Sequence, residues 1–407
     1  MKIFGQCTAM ENISHSLAGL AVGEAIHRCL PAELDVAAQT VRRRMLLVSC
    51  WAASNFPDLD IVLTGQLPPP LGYLLHHRGH THTLVYLLPQ ALLLAALVWL
   101  LWPSARRLLH ASKSARLGLA AACGAGLLLH VGLDFLNSYG VHPFHPFDSR
   151  WFYGDAVFIV EPVFWVAFGM PLAAMLATRW RRFSALGLMA AVIGFAAYKG
   201  FLNLGSVLLL LGLGSALLML GQQRALWAGL FAAFGFAAVQ GGVSQYGKIV
   251  INAALQAQAP ASHVLDTAMT ALPANPLCWS FLSVARDDST AAYVITRGTF
   301  RLWQSTVPGA ACPPGFPGQP SPGVVNIEER TRHSLDGLRA FAATCRGQAW
   351  LRFARMPVLG SEGASDVRFE MGVRGNFSTM SLDPLADATC PSAIPTWDLP
   401  RSDLLTP

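Results

Sequence analysis

The chain has 407 residues, 53% of them apolar and only 13% charged, with a net charge of +6. Soluble domains carry roughly 25% charged residues, so the composition argues for a membrane protein. The first 247 residues hold 16 Lys and Arg against 10 Asp and Glu, and 13 of each follow, which places the basic excess in loops between apolar runs and excludes a nucleic-acid-binding surface.

The first ten residues lack the apolar core of a cleavable signal peptide, so insertion is expected to rely on the spans themselves. A spanning helix needs about 20 mainly apolar residues. Residues 13–30 and 45–55 are weak candidates that carry polar groups. Residues 83–102 meet the requirement without a charge, and 115–138 meet it with one arginine at the start. Residues 156–177 meet it with Glu161 inside, and 183–198, 201–220 and 225–243 are shorter or richer in glycine. Past residue 247 the chain becomes mixed. Short β-like runs at 292–296, 299–303, 349–353 and 366–373 are separated by turn-rich stretches, notably 308–323 with its six prolines. The expected architecture is an all-α polytopic bundle of about 6–8 helices over residues 1–247, followed by a small, mainly β, extracytoplasmic domain over 248–407. Cys278, Cys312, Cys345 and Cys390 form an even set in that exported part, where disulfides persist, and their pairing stays open among three possibilities. Cys29, Cys50 and Cys123 read as inert buried helix residues, and Cys7 carries no signal.

The basic residues orient the bundle. Arg42–Arg44, then Arg106, Arg107, Lys113 and Arg116, then Arg179, Arg181 and Arg182, then Arg224 fall at alternate ends of successive spans, and such loops are cytoplasmic. His15, the pair Asp58 and Asp60, the stretch His76-His77-Arg78-Gly79-His80-Thr81-His82, and the pair His130 and Asp134 then meet at one level near the opposite face. Each has a bland alternative. Pro57-Asp58 suits a turn or cap, the i, i+4 pair His130 and Asp134 suits a buried hydrogen bond, and the histidine stretch suits a polar cap before the next span. Taken together at one depth, they point to a metal centre, because ionisable groups in spans are costly and mark function. Imidazole with carboxylate and no thiolate favours Zn, with Mn or Fe as alternatives. The ligand supply is enough for two ions, with Asp58 or Asp60 bridging, and paired ions suit phosphoester cleavage by an activated water. Arg78 has the planar fork to clamp a phosphate, its alternative being a salt bridge to an aspartate. Asp58, Asp60, Arg78 and Asp134 are therefore the expected catalytic residues. His142, His145, Asp148, Asp155 and Glu161 are expected to line the site or support its ligands, and Trp151, Phe152 and Tyr153 read as an interfacial aromatic belt.

The set His15, Pro57-Asp58-Leu59-Asp60, His77-Arg78-Gly79-His80-Thr81-His82-Thr83 and His130-Val131-Gly132-Leu133-Asp134-Phe135-Leu136-Asn137-Ser138-Tyr139-Gly140 resembles the YdjM-like membrane-bound metal-dependent hydrolases. The resemblance is close over residues 10–165 and extends loosely to Asn275–Trp279 and Ser365–Phe369. It implies an inner-membrane protein, in some bacteria under LexA (DNA-damage) control, with His15, Asp58, Asp60, His77, His82, His130 and Asp134 as metal ligands. His80 stands at a variable position of the motif and ranks lower. The His-x-x-x-Asp element is also similar, more weakly, to zinc-dependent phospholipases C and nucleases.

These readings together predict a hydrolase acting on a phosphoester or lipid-linked substrate at the outer membrane boundary, with membrane lipids as partners. The competing expectations are an ion- or proton-coupled transporter, which would spread polar residues through several spans, and a non-catalytic metal-binding stress-response protein. Substrate, metal and oligomeric state are not legible.

Overall fold

The computed structural model describes residues 4–287, 289–302, 324–361, 363–369, 375–382 and 394–406, without the side chains of residues 4–11. Cys312, Cys390 and the proline-rich stretch 308–323 lie outside the described residues.

Ten α-helices come first: α1 (Phe4–Cys29), α2 (Val36–Ala53), α3 (Leu71–His76), α4 (Leu84–Leu101), α5 (Pro103–Ala111), α6 (Lys113–Phe135), α7 (Pro162–Ala174), α8 (Arg179–Tyr198), α9 (Leu204–Met219) and α10 (Gln222–Gln258). Polar side chains start several of them. Asp35 accepts from the Ala38 amide, Thr83 from Tyr86 and Ser112 from Ala115, each satisfying a free N–H of the first turn. Between α2 and α3 the chain forms a 3-10 segment, Pro57–Gln66, opened by a proline whose missing N–H costs nothing there. Among the described residues, four stretches are long and apolar enough to cross a membrane: Val36–Gln66, Leu84–Leu101, Lys113–Phe135 and Gln222–Gln258.

The expected span over 156–177 is shorter than its composition implies. Only Pro162–Ala174 is helical, because Glu161 turns its carboxylate back onto the Val163 amide and caps the helix there. The last helix is longer than expected and runs through residue 247 to Gln258. Helices α1, α2 and α6 pack closely through glycines. A Cβ on Gly19 of α1 would overlap the Ser54 hydroxyl, and one on Gly126 of α6 would stand 2.6 Å from both Ala53 Cβ and the Cys50 carbonyl.

Helix α10 leads directly into an antiparallel meander of β1 (Ser262–Leu272), β2 (Asn275–Asp287), β3 (Ala292–Arg301) and β4 (Val325–Ser334), in that order. Strand β3 joins the two separate runs expected at 292–303 into one, as far as the described residues go. Residues 349–353, expected as strand, instead belong largely to α12 (Cys345–Leu351), which follows α11 (Leu335–Ala342) and is capped by Thr344. Short apolar runs of this length fit either conformation, and the Thr344 cap decides for helix. A hairpin of β5 (Pro357–Leu359) and β6 (Ala364–Asp366), a 3-10 turn at Val367–Phe369 where strand was expected, and a short helix at Ser402–Leu405 complete the described part. Cys278 and Cys345 are both disulfide-bonded.

One face of the meander packs on α10 through Ile251, Leu255, Met269, Trp279, Phe281 and Phe300. Its other face shares a single apolar core with the loops of the helical half. Val284, Tyr293, Leu338, Trp350, Phe353 and Trp397 pack there with Leu71, Leu74 and Leu75 of α3 and with Tyr139 and Trp151. Trp151 is therefore buried beneath the C-terminal region, its indole N–H donating to the Arg352 carbonyl, and the aromatic belt expected at 151–153 is replaced by a protein interface. A buried charge cluster fastens the same junction. Arg355 donates to both oxygens of Asp155 at 2.8 and 2.9 Å and to Asp266 at 2.6 and 3.0 Å, while Lys248 of α10 reaches Asp155 at 2.7 Å.

Candidate metal centre

Four elements bring the site together: the start of the 3-10 segment with Asp58 and Asp60, the turn after α3 with His77, Arg78 and His82, the last turns of α6 with His130 and Asp134, and His15 on α1. Asp58 Oδ1, His82 Nε2, His130 Nε2 and Asp134 Oδ2 converge. The two imidazole nitrogens are 3.0 Å apart. Asp134 Oδ2 lies 3.1 Å from His82 and 3.4 Å from His130, and Asp58 Oδ1 lies 3.5 and 3.4 Å from the same two atoms.

The protons of both rings point outward. His130 Nδ1 is 2.8 Å from the Ser54 carbonyl, which can only accept, so Nδ1 carries the proton. Thr81 Oγ1 donates its single hydrogen to Asp60 Oδ2 at 2.9 Å, so toward His82 Nδ1, 3.0 Å away, it can only accept. His82 Nδ1 is therefore also a donor. Each neutral ring thus presents an Nε2 lone pair to the other and to two carboxylate oxygens, and Asp134 Oδ2 is buried with no hydrogen-bond donor. Four Lewis bases meeting at this spacing repel one another unless a proton or a metal ion lies among them. Imidazoles fixed by outward hydrogen bonds to a carbonyl and a carboxylate-bound hydroxyl are the usual support of metal-binding histidines. The donor set of two nitrogens and two oxygens fits Zn and also Mn or Fe.

A second group, Asp58, Asp60 and His77, adjoins the first and shares Asp58 with it. It is less open, because Asp60 already accepts from His77 Nδ1 at 3.0 Å, from the Arg78 amide at 2.9 Å and from Thr81. His15 lies outside both groups of converging atoms. Its Nε2 is 3.2 Å from the other oxygen of Asp134, and its ring stacks on His130 at 4.2 Å. Arg78, with a positive φ of 57°, turns its fork onto Asp134 Oδ1 at 3.1 Å and Asn137 Oδ1 at 3.0 Å, and stands over the Tyr139 ring. That is the salt-bridge alternative to a phosphate clamp.

The remaining candidates stand apart. His80 packs against Tyr86, His145 and Trp397. His142 is buried between Trp151 and Trp397, and burial pushes its imidazole well below the ordinary value. Asp148 pairs with exposed Arg150, Asp155 belongs to the Arg355 cluster, and Glu161 caps α7 while also accepting from the Ala274 amide. The groups that sequence reasoning missed are the Ser54 carbonyl, the Thr81 hydroxyl as a link between His82 and Asp60, and Trp397, whose indole N–H donates to the Leu75 carbonyl just ahead of His77. Arg368, within the loosely matching stretch Ser365–Phe369, donates to the Ser138 carbonyl directly after α6.

Long apolar helices and a buried cluster of histidine and aspartate able to hold a metal ion define a polytopic membrane protein with a candidate metal centre. Residues 10–203, which contain every residue of that cluster, match the family described as YdjM inner membrane protein. The chain is also 28% identical over 144 residues to the uncharacterized protein YfhP of Bacillus subtilis (strain 168), a match covering 35% of this chain and 39% of that relative. No solved structure matches.

Proposed function

We propose that the chain is an integral membrane hydrolase that uses a divalent metal, Zn first and Mn or Fe next, to cleave an ester or phosphoester bond. The observation that carries this reading is the convergence of Asp58, His82, His130 and Asp134 with both imidazole protons committed outward. A first ion fits these four residues, and Asp58, Asp60 and His77 offer a second, less open position. A bound ion would supply Lewis acidity, lowering the pKa of a water and polarising the oxygen of the scissile group.

The residues divide the remaining work. Asp58 has the only carboxylate of the cluster with appreciable exposure, 20% against 2% or less for Asp60 and Asp134. It is placed to take the proton of the attacking water as the water oxygen bonds to phosphorus or carbon. The ester bond then breaks, and the leaving oxygen takes up the proton. Arg78 and His15 hold Asp134 from its outer oxygen and fix its inner one. We place residues 248–407 outside the cytoplasm, a reading supported by the alternation of basic loops and by the disulfides at Cys278 and Cys345.

Elemental analysis of the purified protein tests the reading. Near-stoichiometric Zn, Mn or Fe is expected in wild type, with loss of metal and of phosphoesterase activity in the Asp58→Ala, His130→Ala double variant. Full metal occupancy in that variant sinks the assignment.

A further inference from the structure

The cluster is closed toward the C-terminal region and open sideways. Leu71, Leu74, Leu75, Tyr139, Trp151, Trp350, Phe353 and Trp397 form one continuous core over it. Trp397 ties the C-terminal segment to α3, and the Asp398 backbone amide donates to the Ser149 carbonyl on the neighbouring loop. Asp58 is the exception to the burial, and its surroundings in the chain are apolar and exposed: Leu59 at 55%, Ile61 at 44%, Val62 at 77% and, in the last turn of α2, Trp51 at 44%. Between Arg44 and Arg78 the chain carries no charged side chain except Asp58 and Asp60. The 3-10 segment continues a stretch long and apolar enough to cross a membrane, so these side chains stand at bilayer level.

Resting on the hydrolase reading, we infer that the site is reached laterally from the bilayer past Asp58, and that its substrate is a phosphoester carried on a membrane-anchored hydrocarbon chain. A mouth whose stretch carries no cationic side chain and only the carboxylates of Asp58 and Asp60 offers nothing to attract a free anion from water, whereas it lets an acyl or prenyl chain stay in hydrocarbon while the ester reaches the cluster. Leu59 and Val62 are the side chains along which that chain would lie. The ester is placed beside Asp58, and the two products separate by polarity: the alcohol or diglyceride-like part remains in the bilayer and the phosphorylated part leaves.

Two measurements on the full chain test this and separate it from the hydrolase reading. The first uses a nitroxide at Val62→Cys, with Cys7 and Cys29 changed to serine, in vesicles of phosphatidylglycerol and phosphatidylethanolamine. Accessibility to molecular oxygen and shielding from a nickel chelate are expected. Chelate accessibility equal to that of a nitroxide on the exposed loop residue Arg150 overturns lateral access, whatever the activity. The second supplies metal-loaded protein with vesicles of bacterial polar lipid or with soluble bis(p-nitrophenyl) phosphate. Metal-dependent lipid cleavage is expected, at least about tenfold faster than cleavage of the soluble ester, and Val62→Asp should reduce that ratio about tenfold. Cleavage of the soluble ester alone overturns the lipid substrate and leaves the hydrolase reading standing. Cleavage of neither overturns the hydrolase reading, and the nitroxide alone then decides the route.

Discussion

Thr81 governs His82 with one hydroxyl. Its hydrogen goes to Asp60 and its lone pair takes the His82 Nδ1 proton, so a single side chain fixes the tautomer that leaves Nε2 basic. Thr81→Val removes both bonds while keeping the shape, and metal affinity should fall about 10–100-fold, the usual cost of losing such support. Thr81→Ser should keep most of it. Titration of each variant against a chromophoric chelator checks this, and equal affinity for valine and threonine would remove Thr81 from the site. The histidines and aspartates were legible from sequence because few residue types do this chemistry and their spacing was unusual. The Ser54 carbonyl was not legible, since every residue has one, and only the fold selects which carbonyl meets His130. Arg78 was legible as a charged neighbour of the cluster but not in its direction, because sequence cannot tell a guanidinium aimed at an incoming phosphate from one aimed at Asp134.

At the scale of elements, the site depends on how closely α6 approaches α2. Gly126 sits one turn before His130, and the α2 backbone leads to Ser54, whose carbonyl holds that histidine. A methyl at Gly126 must displace Ala53 and the Cys50 carbonyl. Gly126→Ala should therefore destabilise the bundle by about 1–3 kcal/mol, as overpacked cores do, and should lower metal content as well. Gly132→Ala, where an added Cβ meets nothing within 4 Å, is the control on the same helix. Thermal unfolding in detergent and elemental analysis of both variants would show it, and unchanged metal in Gly126→Ala would uncouple packing from the site. Apolar length located α4, α6 and the first part of α10 in the sequence. It overran α7, where the Glu161 cap stops the helix, and it missed β1, β2 and β4, whose residues are buried too unevenly to alternate. Exposure to lipid removes the polar face that gives a soluble helix its period, so span ends must be read from caps.

Across the whole molecule, the C-terminal region holds the loops of the candidate metal centre in place, and Arg355 is the fastening. Its side chain is 2% exposed and that of Asp155 is fully buried, so Arg355→Ala leaves a buried carboxylate with Lys248 alone. Breaking a buried pair in this way costs about 3–5 kcal/mol. The junction should open to protease near residues 355–369, and because Trp397 and Arg368 grip the chain beside His77 and after α6, metal should dissociate faster. Acid gives an independent reading. Burial opposes ionisation of Asp266, but the adjacent Arg355 charge outweighs it and holds the carboxyl below the ordinary carboxylate range. A depressed carboxyl contributes stability that is fully present above its unfolded value, about 3.9, and is lost as pH falls from there through the folded value. Wild-type junction stability should therefore hold from pH 7 to about 4 and decline below that. In Arg355→Ala the largest of the charges that depress Asp266 is gone while Arg401 and Lys248 remain, so stability should start lower and decline less over the same acid window. Tryptophan fluorescence of Trp151, Trp350 and Trp397 follows the junction directly, since all three lie in its core. Parallel acid profiles for the two proteins would mean that Asp266 and Arg355 do not act as a pair.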